Sequence, residues 1–397
     1  MLWELPGDAS KTPALIELAR QARSLRPDQA KPWESLGRLL LRAGQDEEAV
    51  EVLTEAAARL PREPKLHLML ADACYRAGRS DRFREVLEKA PAVPQTDRDM
   101  RIFHLELWMK ARGEEAERAA SEALAIDPAH PEALKVLAGR SRQRGEVERM
   151  IPLCRSALEI DPRHTLARYE LAVAYALTGR PDEARALIDL QQFVQLKDLA
   201  APEGYADAAD FEAALVEEIK RNPTLKADPV GKATKNGFQT GGLPQAGERA
   251  IPALLDAIRG AVDAIEIQLA ESSREAFVEK RPARARLRAW AVVVPGEGRQ
   301  VAHIHPDGWL SGVYYVRAPE VIRGEARAGC LVLGSLEVAG KGVEPPWGTR
   351  DIKPEPGRMV VFPSYIPHAT LPTNAPGERI CISFDVIPSA RDDAAGD

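Results

Sequence analysis

The chain has 397 residues, of which 45% are hydrophobic and 29% are charged. These proportions exclude a disordered or fibrous protein, and the length predicts two or three folding domains. The formal net charge of −6 argues against nucleic acid or an anionic membrane surface as the main partner.

The N-terminal residues and the cysteines indicate the compartment. The first segment, MLWELPGDASK, lacks the basic start and apolar run of a signal peptide, and no stretch approaches the roughly 18 apolar residues of a membrane span. We therefore expect a cytoplasmic protein with no membrane partner. The four cysteines form no close pair and are expected to be reduced and buried; they are Cys74, Cys154, Cys330 and Cys381.

The first half of the chain is an internal repeat. Five glycines recur at intervals of 34, 35, 32 and 34 residues, and they are Gly44, Gly78, Gly113, Gly145 and Gly179. Five prolines recur at intervals of 34, 33, 34 and 34 residues, and they are Pro27, Pro61, Pro94, Pro128 and Pro162. An apolar-periodic helix lies on each side of every glycine, and glycine can adopt the positive φ that reverses the chain. Each unit is therefore predicted to be a helical hairpin.

The repeat resembles the tetratricopeptide pattern. The resemblance is carried by Trp33, Leu36, Gly37, Leu40, Gly44, Ala49 and Pro61. It spans roughly residues 12–190 and about five units, of which the one between Arg98 and Pro128 is degenerate. A solenoid of this kind implies a concave face that binds a peptide or protein segment. The alternative is a scaffold that only packs on the rest of the chain or forms a homodimer. Its scattered histidines are expected to be surface or packing residues, and they are His67, His104, His130 and His164.

A change of pattern follows the repeat. A helix is predicted from about Asp207 to Lys220, capped by Asp207 or Asp210. The segment Pro223 to Arg249 is rich in Gly, Pro, Lys and Thr and is expected to be loop or irregular strand. A strongly amphipathic helix is predicted from about Ile251 to Leu269, with one apolar face that packs against a sheet.

From Arg286 the apolar period becomes two, or the apolar residues form short runs. The predicted strands are RLRAWAVVV, QVAHI, SGVYYVRA, GCLVLGSLEV, RMVVFPSY and RICISFDVI, and turn-forming segments separate them. The predicted fold class is therefore a multidomain α + β protein, with an N-terminal α-solenoid and a C-terminal double-stranded β-helix, or jelly-roll, with flanking helices. The predicted domains are residues 1–190 for the repeats, 191–210 for a linker and 211–397 for the β-rich domain.

The residues with metal chemistry lie in this C-terminal part. In HIHPDGWLSGVYYV, His303 and His305 are two residues apart, so both can point to the same side at the end of a strand. His368 follows the apolar strand MVVF, and Arg379 opens the next strand. Imidazoles suit iron, copper and zinc, and three ligands on one face leave open positions for further ligands. Three aromatic residues are expected to be core or pocket wall, and they are Trp309, Tyr314 and Tyr365.

The order of these elements resembles the 2-oxoglutarate and Fe(II)-dependent oxygenases. It is most similar to a group of bacterial and phage oxygenases with His-x-His-Pro, Ser-Gly-Val-Tyr-Tyr-Val, Phe-Pro-Ser, a further His and Arg-Ile-x-Ile-Ser-Phe. The similarity covers roughly Trp290 to Pro388, and NGFQTGGL also resembles that group. It implies that His303 and His368 bind Fe(II), and that Arg379 pairs with the distal carboxylate of 2-oxoglutarate. Tyr315 and Ser383 are expected to add contacts to this cosubstrate, while Cys381 stands where many oxygenases have serine.

The third metal ligand is open at this point. The usual triad is His-x-Asp or His-x-Glu with a distal histidine, whereas the matching position here is His305. Either His303, His305 and His368 form a three-histidine site, or Asp307 supplies the carboxylate from His305-Pro-Asp307. We favour the first because Asp307-Gly308 is typical of a turn that points away. A third alternative leaves one position to water or chloride.

The resemblance implies a hydroxylase that acts on a residue of a peptide or protein presented by the repeats. Its cofactors would be Fe(II) and 2-oxoglutarate, with decarboxylation to succinate. One alternative is a non-catalytic repeat adaptor whose barrel is degenerate or senses a ligand. Another is a cupin-like enzyme that uses a different metal without 2-oxoglutarate.

Overall fold

The computed structural model describes residues 2–3, 12–111, 113–229, 231–243, 249–273, 275–319, 327–336 and 344–389. The chain divides into two compact units, and the main division falls between Gln143 and Arg144. The predicted domains 1–190, 191–210 and 211–397 stay a prediction, and these compact units do not follow those boundaries. The last repeat helices belong to the same unit as the strands.

The unit that ends at Gln143 consists of paired helices. Their bounds are α1 (Thr12–Leu25), α2 (Ala30–Arg42), α3 (Asp46–Arg59), α4 (Pro64–Arg76), α5 (Ser80–Glu88), α6 (Arg98–Lys110), α7 (Glu114–Ile126) and α8 (Pro131–Arg144). Gly44, between α2 and α3, has φ of 71°, which L-residues with a side chain rarely adopt. A Cβ atom at Gly37 would lie 2.8 Å from Leu53 Cδ2, so this glycine allows α2 and α3 to approach closely. The predicted hairpins are confirmed.

The unit that begins at Arg144 starts with helices. Their bounds are α9 (Met150–Ile160), α10 (Thr165–Leu177), α11 (Pro181–Leu187), α12 (Leu190–Phe193), α13 (Ala208–Arg221), α14 (Ala250–Ser272) and α15 (Ala276–Glu279). Asp207 caps α13 by accepting a hydrogen bond from the backbone N–H of Asp210. The predicted apolar face of α14 is buried. None of the helices in the described part of the chain has both the length and the apolar character needed to cross a membrane.

The strands that the structure describes in this unit form three sheets. Their bounds are β1 (Leu2–Trp3), β2 (Gln195–Asp198), β3 (Lys226–Ala227), β4 (Thr234–Lys235), β5 (Phe238–Gln239), β6 (Arg284–Pro295), β7 (Arg299–Gln300), β8 (Leu310–Arg317), β9 (Leu331–Leu333), β10 (Arg350–Ile352), β11 (Arg358–Pro363), β12 (His368–Thr370) and β13 (Glu378–Pro388). The main sheet has the order β2-β11-β8-β13-β6-β5-β3, with β1 paired to β6, and a second sheet has the order β10-β9-β12. The short pair β4-β7 forms the third.

This antiparallel β-rich unit after helical hairpins confirms the predicted fold class. Two details differ from the expected strands. The strand expected over QVAHI ends at Gln300, and His303 forms an isolated bridge with His368 instead. The expected linker contains a real edge strand, β2, which pairs with β11. Parts of the segments around 230, 244–248 and 337–343 lie outside the described residues.

Candidate metal and cosubstrate site

A cavity of about 420 Å³ lies between the main sheet and the second sheet. Side chains of β6, β8, β11 and β13 form one wall, and side chains of β9 and β12 form the other. The residues that line it include Trp290, Gln300, His303, His305, Ser311, Val313, Tyr315, Leu331, Phe362, His368, Thr370, Arg379, Cys381 and Ser383.

The three predicted histidines meet at one end of this cavity. His303, His305 and His368 each offer a ring nitrogen, and these nitrogens lie within 4.8 Å of one another. Two backbone hydrogen bonds of 3.0 Å hold His303 against His368, and the N–H of His305 donates to the Ser364 carbonyl at 3.1 Å. The extended segment after β7 is not a strand, but its side chains still alternate in direction as those of a strand do.

Each imidazole has a separate acceptor for its Nδ1 hydrogen. His303 Nδ1 lies 2.8 Å from the Val301 carbonyl, and His368 Nδ1 lies 3.0 Å from the Ile366 carbonyl. His305 Nδ1 lies 2.7 Å from a carboxylate oxygen of Asp385. With Nδ1 protonated in each ring, all three Nε2 lone pairs face one another, and the Nε2 atoms of His303 and His305 are 3.1 Å apart.

Nitrogen lone pairs that face one another at this distance repel, so the arrangement requires a cation or a proton between them. Burial, followed by the neighbouring His305, lowers the pKa of His303 to about 4. Burial and the other two imidazoles also lower the pKa of His368 well below its usual value. Neutral imidazoles are the form that binds a metal ion, so the donor set fits Fe(II).

Arg379 lies at the other end of the cavity and is only 2% exposed. Its Nη1 donates to the Gly329 carbonyl at 2.5 Å, and its Nη2 donates to Thr370 Oγ1 at 2.8 Å. Among the described residues, its buried Nε has no hydrogen-bond partner. A buried guanidinium with a spare donor fits an anionic ligand in this cavity, because an unpaired buried charge is costly.

The other predicted cosubstrate contacts share this wall. Arg379, Cys381 and Ser383 alternate along β13, and Tyr315 lies opposite Cys381 on β8. Burial raises the pKa values of the Tyr315 hydroxyl and the Cys381 thiol, so both are neutral at physiological pH. Their roles as contacts of 2-oxoglutarate stay predictions.

Asp307 does not join the histidine cluster. Its exposed carboxylate lies 3.3 Å from Arg288 Nη1, and Gly308 closes the predicted turn by donating to the His305 carbonyl at 3.1 Å. The cluster therefore consists of His303, His305 and His368 without Asp307, and the set of metal ligands stays a prediction. Trp309 and Tyr365 are buried outside the lining of this cavity, as expected for core residues.

Asp385 is the residue of the site that sequence reasoning missed. It lies in RICISFDVI, which was predicted only as a strand, and it is fully buried. Burial raises its pKa, but His305, Arg288 and Ser311 outweigh this and hold the pKa below its usual value. One signal was present, because an aspartate within an otherwise apolar strand must have buried partners.

A second, more open cavity of about 1370 Å³ adjoins the first. Both cavities share Trp290, Gln300, His303 and His305. Lys232, Thr240, Gly241 and Arg288 also line the open one. His303 and His305 therefore border both cavities, whereas His368 borders the first.

Comparisons with known families agree with both halves of the chain. A tetratricopeptide repeat family matches residues 40–103 and 141–201. A family described as "Putative 2OG-Fe(II) oxygenase" matches residues 288–385. No curated protein sequence matches the chain.

Solved structures similar to the chain include proteins of both kinds. A prolyl-4-hydroxylase from Pseudomonas putida has 18% identity and a TM-score of 0.34, and the match covers 51% of this chain and 96% of that one. A prolyl hydroxylase from Trichoplax adhaerens has 13% identity and a TM-score of 0.36, with 55% and 96% covered. YrrB, a repeat protein with a peptide-binding site, has 17% identity and a TM-score of 0.35, with 43% and 89% covered.

Proposed function

We propose that this chain, which carries tetratricopeptide repeats and a 2OG-Fe(II) oxygenase domain, hydroxylates a residue of a peptide or protein that the repeats bind. The observation that carries the proposal is the convergence of three Nε2 atoms beside a cavity that ends at the buried Arg379. The two features have the chemistry that a metal and a dicarboxylate need, and they line one cavity.

Within this proposal, His303, His305 and His368 hold Fe(II), and Arg379 holds the distal carboxylate of 2-oxoglutarate. Together the bound metal, 2-oxoglutarate and O₂ supply the oxidation of a C–H bond to C–OH, with succinate and carbon dioxide as co-products. The protein contributes position and exclusion of water. Tyr315 would donate a hydrogen bond to the same carboxylate, and burial supports this role because it raises the pKa of the hydroxyl and keeps it protonated.

The wide cavity beside His303 and His305 is where the substrate residue would enter. The repeat unit has a groove of its own, of about 870 Å³. Side chains of α2, α4 and α6 line it: three are apolar, four are basic and one is acidic, and they are Leu41, Met69, Phe103, Arg38, Arg42, Lys65, Arg76 and Asp72. A groove of this composition suits an extended peptide with apolar and acidic residues.

The proposal is tested by measuring succinate from 2-oxoglutarate with Fe(II) and O₂, even without the substrate. We expect turnover by the wild type and none above background by the double variant His303→Ala/His368→Ala. His67→Ala is the matched control, because its Nδ1 only contacts the backbone carbonyl of Glu63, the residue before α4. A wild type that forms no succinate, together with unchanged partner binding by the double variant, would support the adaptor instead.

The cosubstrate contact has a separate test. Arg379→Met keeps much of the side-chain volume but removes the charge. We expect the KM for 2-oxoglutarate to rise by about 30-fold or more, since truncating one partner of a buried charge pair costs at least about 2 kcal/mol. Succinate production with an unchanged KM would favour an enzyme that does not use Arg379 for 2-oxoglutarate.

A further inference from the structure

Within the described part of the chain, Asp385 has three hydrogen-bond partners, and it has no exposure to solvent. Its Oδ1 accepts from His305 Nδ1 at 2.7 Å and from the Ser311 hydroxyl at 2.8 Å. Its Oδ2 accepts from Arg288 Nη2 at 2.9 Å. A buried carboxylate with this many donors is held in one orientation, since any other would leave a donor unpaired.

We propose that Asp385 is a positioning residue that presents His305 Nε2 to the metal and supplies, from behind the imidazole, the negative charge that a three-histidine set lacks. The inference rests on the proposed function, because it needs a metal at the cluster. It assigns a role to a residue that touches neither the metal nor the cosubstrate.

The main sheet fixes the position of this carboxylate. On β13, Asp385 follows Arg379, Cys381 and Ser383 on the same face, two residues apart each time. It lies directly opposite Ser311 of β8 in the antiparallel ladder. The strand that holds Arg379 at one end of the cavity therefore holds Asp385 at the other end, behind His305.

The hydrogen bond decides which nitrogen of His305 is free. Because the carboxylate only accepts, Nδ1 must carry the hydrogen, and Nε2 then has the lone pair that faces His303 and His368. Trp290 stacks on the His305 ring, with centroids 5.6 Å apart and planes inclined by 17°, so the ring plane is held as well.

The second part of the role proposed for Asp385 is electrostatic. The usual triad places one carboxylate on the metal, whereas three neutral imidazoles place none there. Asp385 restores one negative charge at the distance of a single imidazole ring, where the low dielectric of the interior strengthens its effect. Arg288 offsets part of this charge, and the exposed Asp307 in turn holds Arg288 through its other nitrogen. In this reading Asp307 helps to position Arg288 and is not the missing ligand.

The experiment measures metal affinity of the full chain, so it does not depend on turnover. Metal-free protein is titrated with Co(II), and the visible absorption of the bound ion reports its ligands. We expect Asp385→Asn to weaken binding by about 10–100-fold, as is common when the partner of a metal-bound histidine is removed. The asparagine amide can also donate to Nδ1, which would put the hydrogen on Nε2 and disable the ligand.

Two further variants separate positioning from general stability. Glu266→Gln is the matched control, because Glu266 is another buried carboxylate bonded to an arginine, Arg281, away from the cluster. We expect it to leave Co(II) affinity within twofold of the wild type. In a His305→Ala background, Asp385→Asn should cause no further loss, because its effect passes through His305.

If Asp385→Asn does not fold, Ser311→Ala serves as the second variant, since it removes one bond to the same oxygen and leaves the carboxylate in place. It should weaken Co(II) binding several-fold.

Wild-type affinity in Asp385→Asn, or an equal loss with and without His305, would overturn the inference. A loss in Asp307→Asn as large as that in Asp385→Asn would also overturn it. A wild type that binds Co(II) no better than His303→Ala/His368→Ala would overturn the proposed function itself.

Discussion

The two compact units differ in how they use buried polar side chains. Among the described residues of the unit that ends at Gln143, the buried polar set is small and consists of Glu34, His130 and Ser141. The described residues that follow bury many more, including Arg168, Glu170, Glu266, His368, Arg379 and Asp385. Buried charge is costly and survives only with partners, so the second unit is where the chain maintains a chemical site.

The two units also differ in the sequence separation of the residues that are in contact. A repeat hairpin is held by residues that are close in the chain, as in the packing of Gly37 on Leu53, 16 positions later. The site is held by contacts across the whole unit, such as the hydrogen bond of 2.6 Å from Thr165 Oγ1 to the Gly308 carbonyl. That bond joins α10, a repeat helix, to the loop after His305.

The largest expected effect is the loss of cooperative unfolding when α10, which contacts the site, is removed. Arg168 of α10 lies over the rings of Phe277 and Tyr365, at 5.5 and 5.3 Å from their centroids. A fragment over 191–397 would expose these buried rings, at about 1.5–3 kcal/mol for each large apolar side chain. We expect it to lack a cooperative thermal transition, whereas a fragment over 144–397 should retain one. Equal melting temperatures for the two fragments would instead support the boundary predicted at residue 190.

The same difference between local and distant contacts determines which features could be predicted from the sequence. The repeats were predictable because Gly44 and its equivalents mark each hairpin at a fixed period. The cluster of His303, His305 and His368 was predictable because spacing and strand order carry it. Asp385 was not assigned, because its partners lie 80 and 74 residues earlier, at His305 and Ser311, and only the sheet register joins them. Periodicity reports which face is buried, but it does not report which buried polar groups meet.

Gly312 tests the close packing of the main sheet. A Cβ atom at this position in β8 would lie 2.7 Å from the Val360 carbonyl and even closer to the ring of Phe384. Gly312→Ala should therefore lower the free energy of unfolding by about 1–3 kcal/mol, as over-packing of a core does. Urea unfolding measures the change. Gly260→Ala in α14 is the control, since a Cβ atom there meets nothing within 4 Å, and its stability should not fall.

The single bond between α10 and the loop is expected to have a smaller effect. Thr165→Val keeps the shape of the side chain but removes this one hydrogen bond to the Gly308 carbonyl, and a typical single hydrogen bond contributes about 0.5–1.5 kcal/mol to stability. We expect a lower melting temperature and a weaker Co(II) affinity, because the loop carries His305. Thr178→Val is matched to it, since Thr178, the residue after α10, donates from Oγ1 to the Ala174 carbonyl of that helix. Equal effects of the two variants on Co(II) affinity would show that α10 does not position the loop.

The smallest expected effect belongs to the repeats and has the opposite sign. Gly139 lies within α8, and a Cβ atom there meets nothing within 4 Å. Gly139→Ala should raise the free energy of unfolding by up to about 1 kcal/mol, because glycine is the poorer helix former. Gly44→Ala is the matched change at a turn, where φ of 71° disfavours any side chain and stability should fall by about 1–2 kcal/mol. Urea unfolding of both variants measures the two changes. A higher free energy of unfolding in Gly44→Ala, or a lower one in Gly139→Ala, would mean that the stability of the repeats depends on more than local backbone preference.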